Sequence, residues 1–217
     1  ILISTFLYYF FSKFSLQELS SYDFIKNNVD YFSNLKSKNY FTLIMILFLF
    51  VVIWVLLLGF GSPVALASGF IFGKWIGTIL IAISLSIGSL LLYIITIFFF
   101  KDLVHQKLGN RMIFLKELFN KNEFFYFMIF RFAGGGGVPF AIQNLLPVIF
   151  NMKVKNYFFS TFIGLFPMVF IMCAIGSGIE SIIQKNIDPS IFEMIQTREI
   201  YLPIIGFFLI IIFSIVL

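Results

Sequence analysis

The sequence is poor in charge. Asp, Glu, Lys and Arg make up 12% of its 217 residues, against 60% hydrophobic ones. Soluble domains carry about twice that charged fraction, and a water-soluble fold could not hide so much apolar surface. The solvent for this chain is lipid. Acids are scarcest inside the apolar blocks: none occurs between Tyr40 and Lys101, or between Phe124 and Ile179. That absence argues against proton coupling through an intramembrane carboxylate. There is one histidine, His105, and one cysteine, Cys173. A multi-histidine metal site and an internal disulfide are therefore excluded. Cys173 lies in an apolar block and reads as a packing residue. His105 lies in a charged segment and reads as a solvated surface residue. No nucleophile–base pair, metal-ligand set or P-loop is visible, so the chain reads as a non-enzyme without a cofactor. The net charge of +5 is not a nucleic-acid signature, because the lysines are spread between apolar blocks, as positive-inside bias distributes them.

What is present is length of apolar run. Residues 41–60 give 20 residues without a charge, 75–100 give 26, 157–179 give 23 and 200–217 give 18. About 20 residues of helix cross a hydrocarbon core, and a helix satisfies its own backbone there. The expected class is an all-α polytopic membrane protein. Residues 1–11 read as the tail of a truncated N-terminal transmembrane helix, since no small-residue cleavage site follows. Residues 200–217 read as a truncated C-terminal one. In 12–40 the apolar positions Leu19, Tyr22, Ile25, Val29 and Phe32 recur every three or four residues, the pattern of an amphipathic helix lying at the interface. Residues 101–123 hold five basic side chains, and the acidic loop 181–199 holds two, Lys185 and Arg198. Positive-inside bias then puts 101–123 and the C-terminus in the cytoplasm.

Residues 124–150 spoil the pattern. "RFAGGGGVPFAIQNLLPV" (131–148) sets an arginine, four glycines, a Gln-Asn pair and two prolines into an apolar stretch. Each glycine disfavours helix by about 1 kcal/mol relative to alanine, so Gly134, Gly135, Gly136 and Gly137 together oppose continuation by about 4 kcal/mol. Pro139 adds about 3 kcal/mol. Two half-helices around an unwound tip fit better, as a re-entrant hairpin. Such a tip must be buried in protein or face water. Arg131, just before it, would cost about 3 kcal/mol or more in lipid, so it needs a partner or a wet cavity. Three readings stand: a structural cation bonded to hairpin carbonyls, a contact for an anionic headgroup or solute, or a side chain snorkelling to the interface. Gln143 and Asn144 add polar groups on the returning limb, as hairpin staples or as ligands.

A weaker copy lies 76 residues upstream. Gly59, Gly61, Pro63 and Ala65 fall on Gly135, Gly137, Pro139 and Ala141, and Ser84 and Gly88 fall on Ser160 and Gly164. The matches are the helix breakers. One reading is glycines that merely ease helix packing. The other is two copies of hairpin plus crossing helix, about 48–74 with 75–100 and 124–150 with 157–179. One crossing separates them, so the hairpins would enter from opposite faces, an inverted repeat within a core at 41–180.

At these residues the chain resembles the DedA-like, or VTT-domain, membrane proteins, also called SNARE-associated Golgi proteins. "SPVALASGFIFGKWIGT" (62–78) looks like the first hairpin, with Pro63, Gly69 and Gly73 at the pattern's positions. Arg131, Pro139, Asn144 and Pro147 match the second, and Pro167 in "GLFPMVF" the Gly-x-x-Pro that follows. The similarity is closest to the bacterial Tvp-like branch. Three features depart from the pattern: Gly134 stands where many relatives have a proline, and the acidic residue and the second hairpin arginine of classical DedA members are missing. The resemblance implies two opposed re-entrant hairpins, residence in the bacterial inner membrane, and movement of phospholipid or polyprenyl phosphate between leaflets. The expected partners are membrane lipids with anionic headgroups. The candidate headgroup-binding set is Arg131, Gln143, Asn144 and Lys74. Two other functions stay open: a small-anion or ion transporter using the same residues, and a membrane-homeostasis or assembly factor without transport.

Overall fold

In the computed structural model the described residues are 22–108, 119, 121–184 and 196–216, and no strand occurs among them. Expectations for residues 1–11, and for the side-chain pattern of 12–40, lie outside the described residues and side chains. So does most of the acidic loop. Among the described residues, three stretches are long and apolar enough to cross a bilayer: Asn39–Leu56, Gly61–Phe99 and Val154–Ile182. The chain is an all-α integral membrane protein.

Helix α1 (Tyr22–Leu56) breaks at Asn39, with φ −139° and ψ 42°, where the polar segment gives way to the apolar block. A turn follows in which Leu58 takes φ 62°. The indole Nε1 of Trp54 donates to Phe60 O at 2.8 Å across it. Helix α2 (Gly61–Phe99) breaks at Gly73, with φ 78° and ψ 170°, a conformation costly for any residue with a Cβ. Ser68 Oγ donates to Gly77 O at 3.4 Å. Nine residues of straight helix would separate those positions by about 13.5 Å, so α2 folds back sharply at Gly73.

Short helix α3 (Lys101–Leu108) carries His105. The imidazole is half-buried, with Nε2 shielded, because α3 packs against its neighbours instead of looping through solvent. This corrects the solvated reading of His105.

Helix α4 (Glu123–Phe132) starts at Asn122, whose side chain accepts from Phe125 N, and spans 10 residues, about 15 Å. All four glycines after it have positive φ: 69°, 77°, 59° and 81° for Gly134 to Gly137. The run is needed because four successive left-handed residues are closed to side chains that carry a Cβ. The chain returns through α5 (Phe140–Gln143) and α6 (Leu146–Phe150), ending at Asn151 in the left-handed region. Glu123 ties the base of this turnback, accepting from Lys153 N at 3.2 Å and Asn156 Nδ2 at 2.6 Å. The first turnback is longer: its incoming limb runs from Asn39, 18 residues, because no breaker interrupts 40–56.

Helix α7 (Val154–Gln184) packs along α2, and α8 (Arg198–Val216) packs along α7. Glycines bring α2 and α7 together: Gly69 lies on the backbone of Cys173, and Gly176 on that of Leu66 and Phe70. Cys173 is buried, with Sγ directed to Ala65 O at 3.2 Å.

Candidate functional site

Arg131 lies in the last turn of α4 and is 1% exposed. One guanidinium nitrogen donates to Gln143 Oε1 at 3.0 Å. The other donates to Asn144 Oδ1 and, at 3.3 Å, to the Tyr157 hydroxyl. The cation also lies 5.0 Å from the ring centroid of Phe127 and 5.2 Å from that of Phe140, close enough for cation–π attraction. Each of these partners is neutral. The residues solvate the charge without cancelling it, and no acid occurs between Phe124 and Ile179.

The surrounding side chains divide the work. Gln143 Nε2 donates to Val138 O at 2.6 Å and Gly134 O at 3.3 Å, so Gln143 clamps the glycine turn and presents its oxygen to Arg131. Asn144 Oδ1 also accepts from Ser89 Oγ of α2 at 3.1 Å. Tyr93 donates to Met152 O at 2.5 Å and packs on the Tyr157 ring, centroids 5.1 Å apart. Two buried donors, Arg131 Nε and Asn144 Nδ2, have no acceptor among the described residues. Orphaned donors beside an uncancelled cation form an environment an anion would complete.

Arg131 opens onto a cavity of about 210 Å³ between the two turns. Phe60, Gly61, Ser62 and Ala65 line it from the first turn; Gly134, Val138, Phe140 and Gln143 line it from the second. Leu85, Leu165, Met168, Val169 and Met172 make apolar walls. Lys74 is elsewhere: it is exposed and lines a separate groove with Pro167. Arg131, Gln143 and Asn144 are thus brought together, and Lys74 is not. Pro139 precedes α5, Pro147 opens α6 and is buried, and Pro63 sits in the first turn of α2. Tyr157 and Ser89 were missed in the sequence, where each is one hydroxyl in an apolar helix.

The 76-residue offset maps contacts onto contacts. A methyl group on Gly88 would meet Val52 and Val55; one on Gly164 would meet Met128 and Arg131. Both sets differ by that offset. Val51, Val55 and Ile81 cluster with Leu165 and Val169 from the other half. Of their counterparts, Phe127 and Tyr157 share a buried cluster with Tyr93 from the other half, and Ser89 donates to Asn144 Oδ1, the oxygen that also accepts from Arg131. Exchange of this kind, i with j and j with i, is how two-fold related units pack.

The family model for the VTT domain matches residues 59–178, more than half of the chain. No solved structure matches.

Proposed function

Because this chain belongs to the VTT-domain family, a family of DedA-type membrane proteins, we propose that it moves lipids between leaflets, in the manner of a scramblase or flippase. The observation that carries the reading is the buried Arg131 cation, held by neutral groups and facing a cavity. Burying an unpaired charge costs several kcal/mol even after relaxation. A headgroup phosphate entering the cavity, which Arg131 and Gln143 line, would cancel that charge. The cavity is smaller than the pockets that take drug-sized ligands, so it suits a phosphate and its ester while the acyl tails stay in lipid.

In this reading the turnbacks at 57–60 and 133–139 are re-entrant tips that enter from opposite faces of the inner membrane and meet near its midplane. The reciprocal packing of the halves supports that arrangement. Loop 101–123 is cytoplasmic. With no acid in the apolar blocks, movement is passive or driven by an existing gradient. Partners are phospholipid or polyprenyl phosphate.

The test is dithionite quenching of labelled lipids in proteoliposomes. Wild-type protein exposes inner-leaflet label and Arg131→Ala abolishes this; wild-type rates from that variant would remove the assigned role. The cavity's small volume favours a second reading, transport of a small oxyanion. Flux of phosphate or sulfate without lipid exchange would select it.

A further inference from the structure

A second groove, of about 490 Å³, runs between α7 and α8. It shares no lining residue with the Arg131 cavity. On α7 the cavity takes positions 165, 168, 169 and 172, and the groove takes 167, 170, 171, 174 and 178. Helical periodicity puts these sets on opposite faces. Two charged side chains line the groove, Lys74 beyond the Gly73 break and Arg198 at the start of α8, and both are cations. Phe170, Ile171 and Leu202 give it an apolar wall, and Ser177 and Ser181 add hydroxyls. Trp75, next to Lys74, is exposed and packs on Phe170 with ring centroids 4.9 Å apart.

We propose that this groove holds one anionic phospholipid, its phosphate between Lys74 and Arg198 and an acyl chain along Phe170 and Leu202. Charge complementarity selects the occupant: a zwitterionic headgroup would bring its own cation against two others. Water alone would leave the apolar wall exposed, whereas a lipid covers both surfaces. The site is one of residence at a leaflet, distinct from the transfer proposed at Arg131, and stands whether or not lipid crosses there.

Trp75 reports on it directly. The chain has two tryptophans, so Trp54→Phe leaves Trp75 as sole fluorophore. The full chain in phosphatidylcholine nanodiscs is titrated with brominated phosphatidylglycerol or brominated phosphatidylcholine, and quenching gives the relative affinity. Two juxtamembrane cations predict a preference of about 30-fold for the anionic lipid. In Lys74→Ala/Arg198→Ala it falls to near unity, while Lys74→Arg/Arg198→Lys keeps it and guards against misfolding. Equal quenching by the two lipids, or a preference that survives the double alanine change, overturns the proposal. Loss of preference in Arg131→Ala would also overturn it, because the groove would then not be independent. Equilibrium quenching does not depend on transbilayer movement, so this result and the dithionite result are decided separately.

Discussion

Asn144→Asp separates a cation that binds from a cation that merely ties the hairpin. The change replaces an NH₂ with an oxygen and keeps the shape. Asn144 Oδ1 already accepts from Arg131 and Ser89, so a carboxylate enters a bonded position without moving the backbone. The buried Nδ2, which has no acceptor among the described residues, disappears. On packing grounds the variant should be as stable as wild type or more so. Its electrostatics differ sharply, because the site goes from one positive charge to none. Unit charges about 4 Å apart interact by about 4 kcal/mol at an effective dielectric of 20. Losing that attraction weakens binding of an incoming anion about a thousandfold, and half of it still amounts to about 30-fold.

The assay pairs dithionite-quenched lipid exchange in proteoliposomes with thermal unfolding in detergent. The expected result is exchange reduced by about 30-fold or more, with an unchanged or raised unfolding midpoint. Wild-type exchange in a well-folded Asn144→Asp protein refutes the reasoning. Arg131 would then be a structural group whose charge no substrate meets.

Two further outcomes test the packing. Gly164→Ala sets a methyl group 2.6 Å from Arg131 Cβ and from Met128 O, so it should cost about 1–3 kcal/mol of stability in detergent denaturation. Gly206→Ala meets nothing within 4 Å and should gain about 1 kcal/mol; equal midpoints for the two would remove the close crossing of α4 and α7. Cys173 is 0% exposed, so a membrane-permeant maleimide should label it only after denaturation, and rapid labelling of the native protein would contradict the packed α2–α7 contact.

The breaks were legible because they are local. Four glycines followed by Val-Pro cannot propagate a helix, and the turn at 133–139 sits where that rule puts it. The break at Gly73 needed the family resemblance, since one glycine in an apolar run is ambiguous alone. The setting of Arg131 was only partly legible. Gln143 and Asn144 follow it within the same turnback, whereas Tyr157 and Ser89 arrive from α7 and α2, and no local pattern encodes that meeting. The place of Lys74 was not legible either: it stood in the candidate headgroup set, whereas the sharp fold at Gly73 carries it to the groove beside α8. His105 failed for a related reason: charged neighbours implied solvent, while α3 packs its imidazole inward.

The halves differ in chemistry where they agree in geometry, and that difference bears on why Arg131 is there. Its counterpart is Val55; those of Asn144, Tyr157 and Ser89 are Ser68, Ile81 and Leu165. Val55, Ile81 and Leu165 belong to one apolar cluster. The first half therefore makes an equivalent helix crossing, against Gly88 in place of Gly164, with no charge. Buried charges can be replaced by well-packed apolar groups at little cost or with a gain in stability, and here the replacement exists within the same molecule. The crossing does not require a cation. A guanidinium kept at 1% exposure, held by neutral acceptors and facing a cavity, is better accounted for by something that enters the cavity than by the needs of the helices around it.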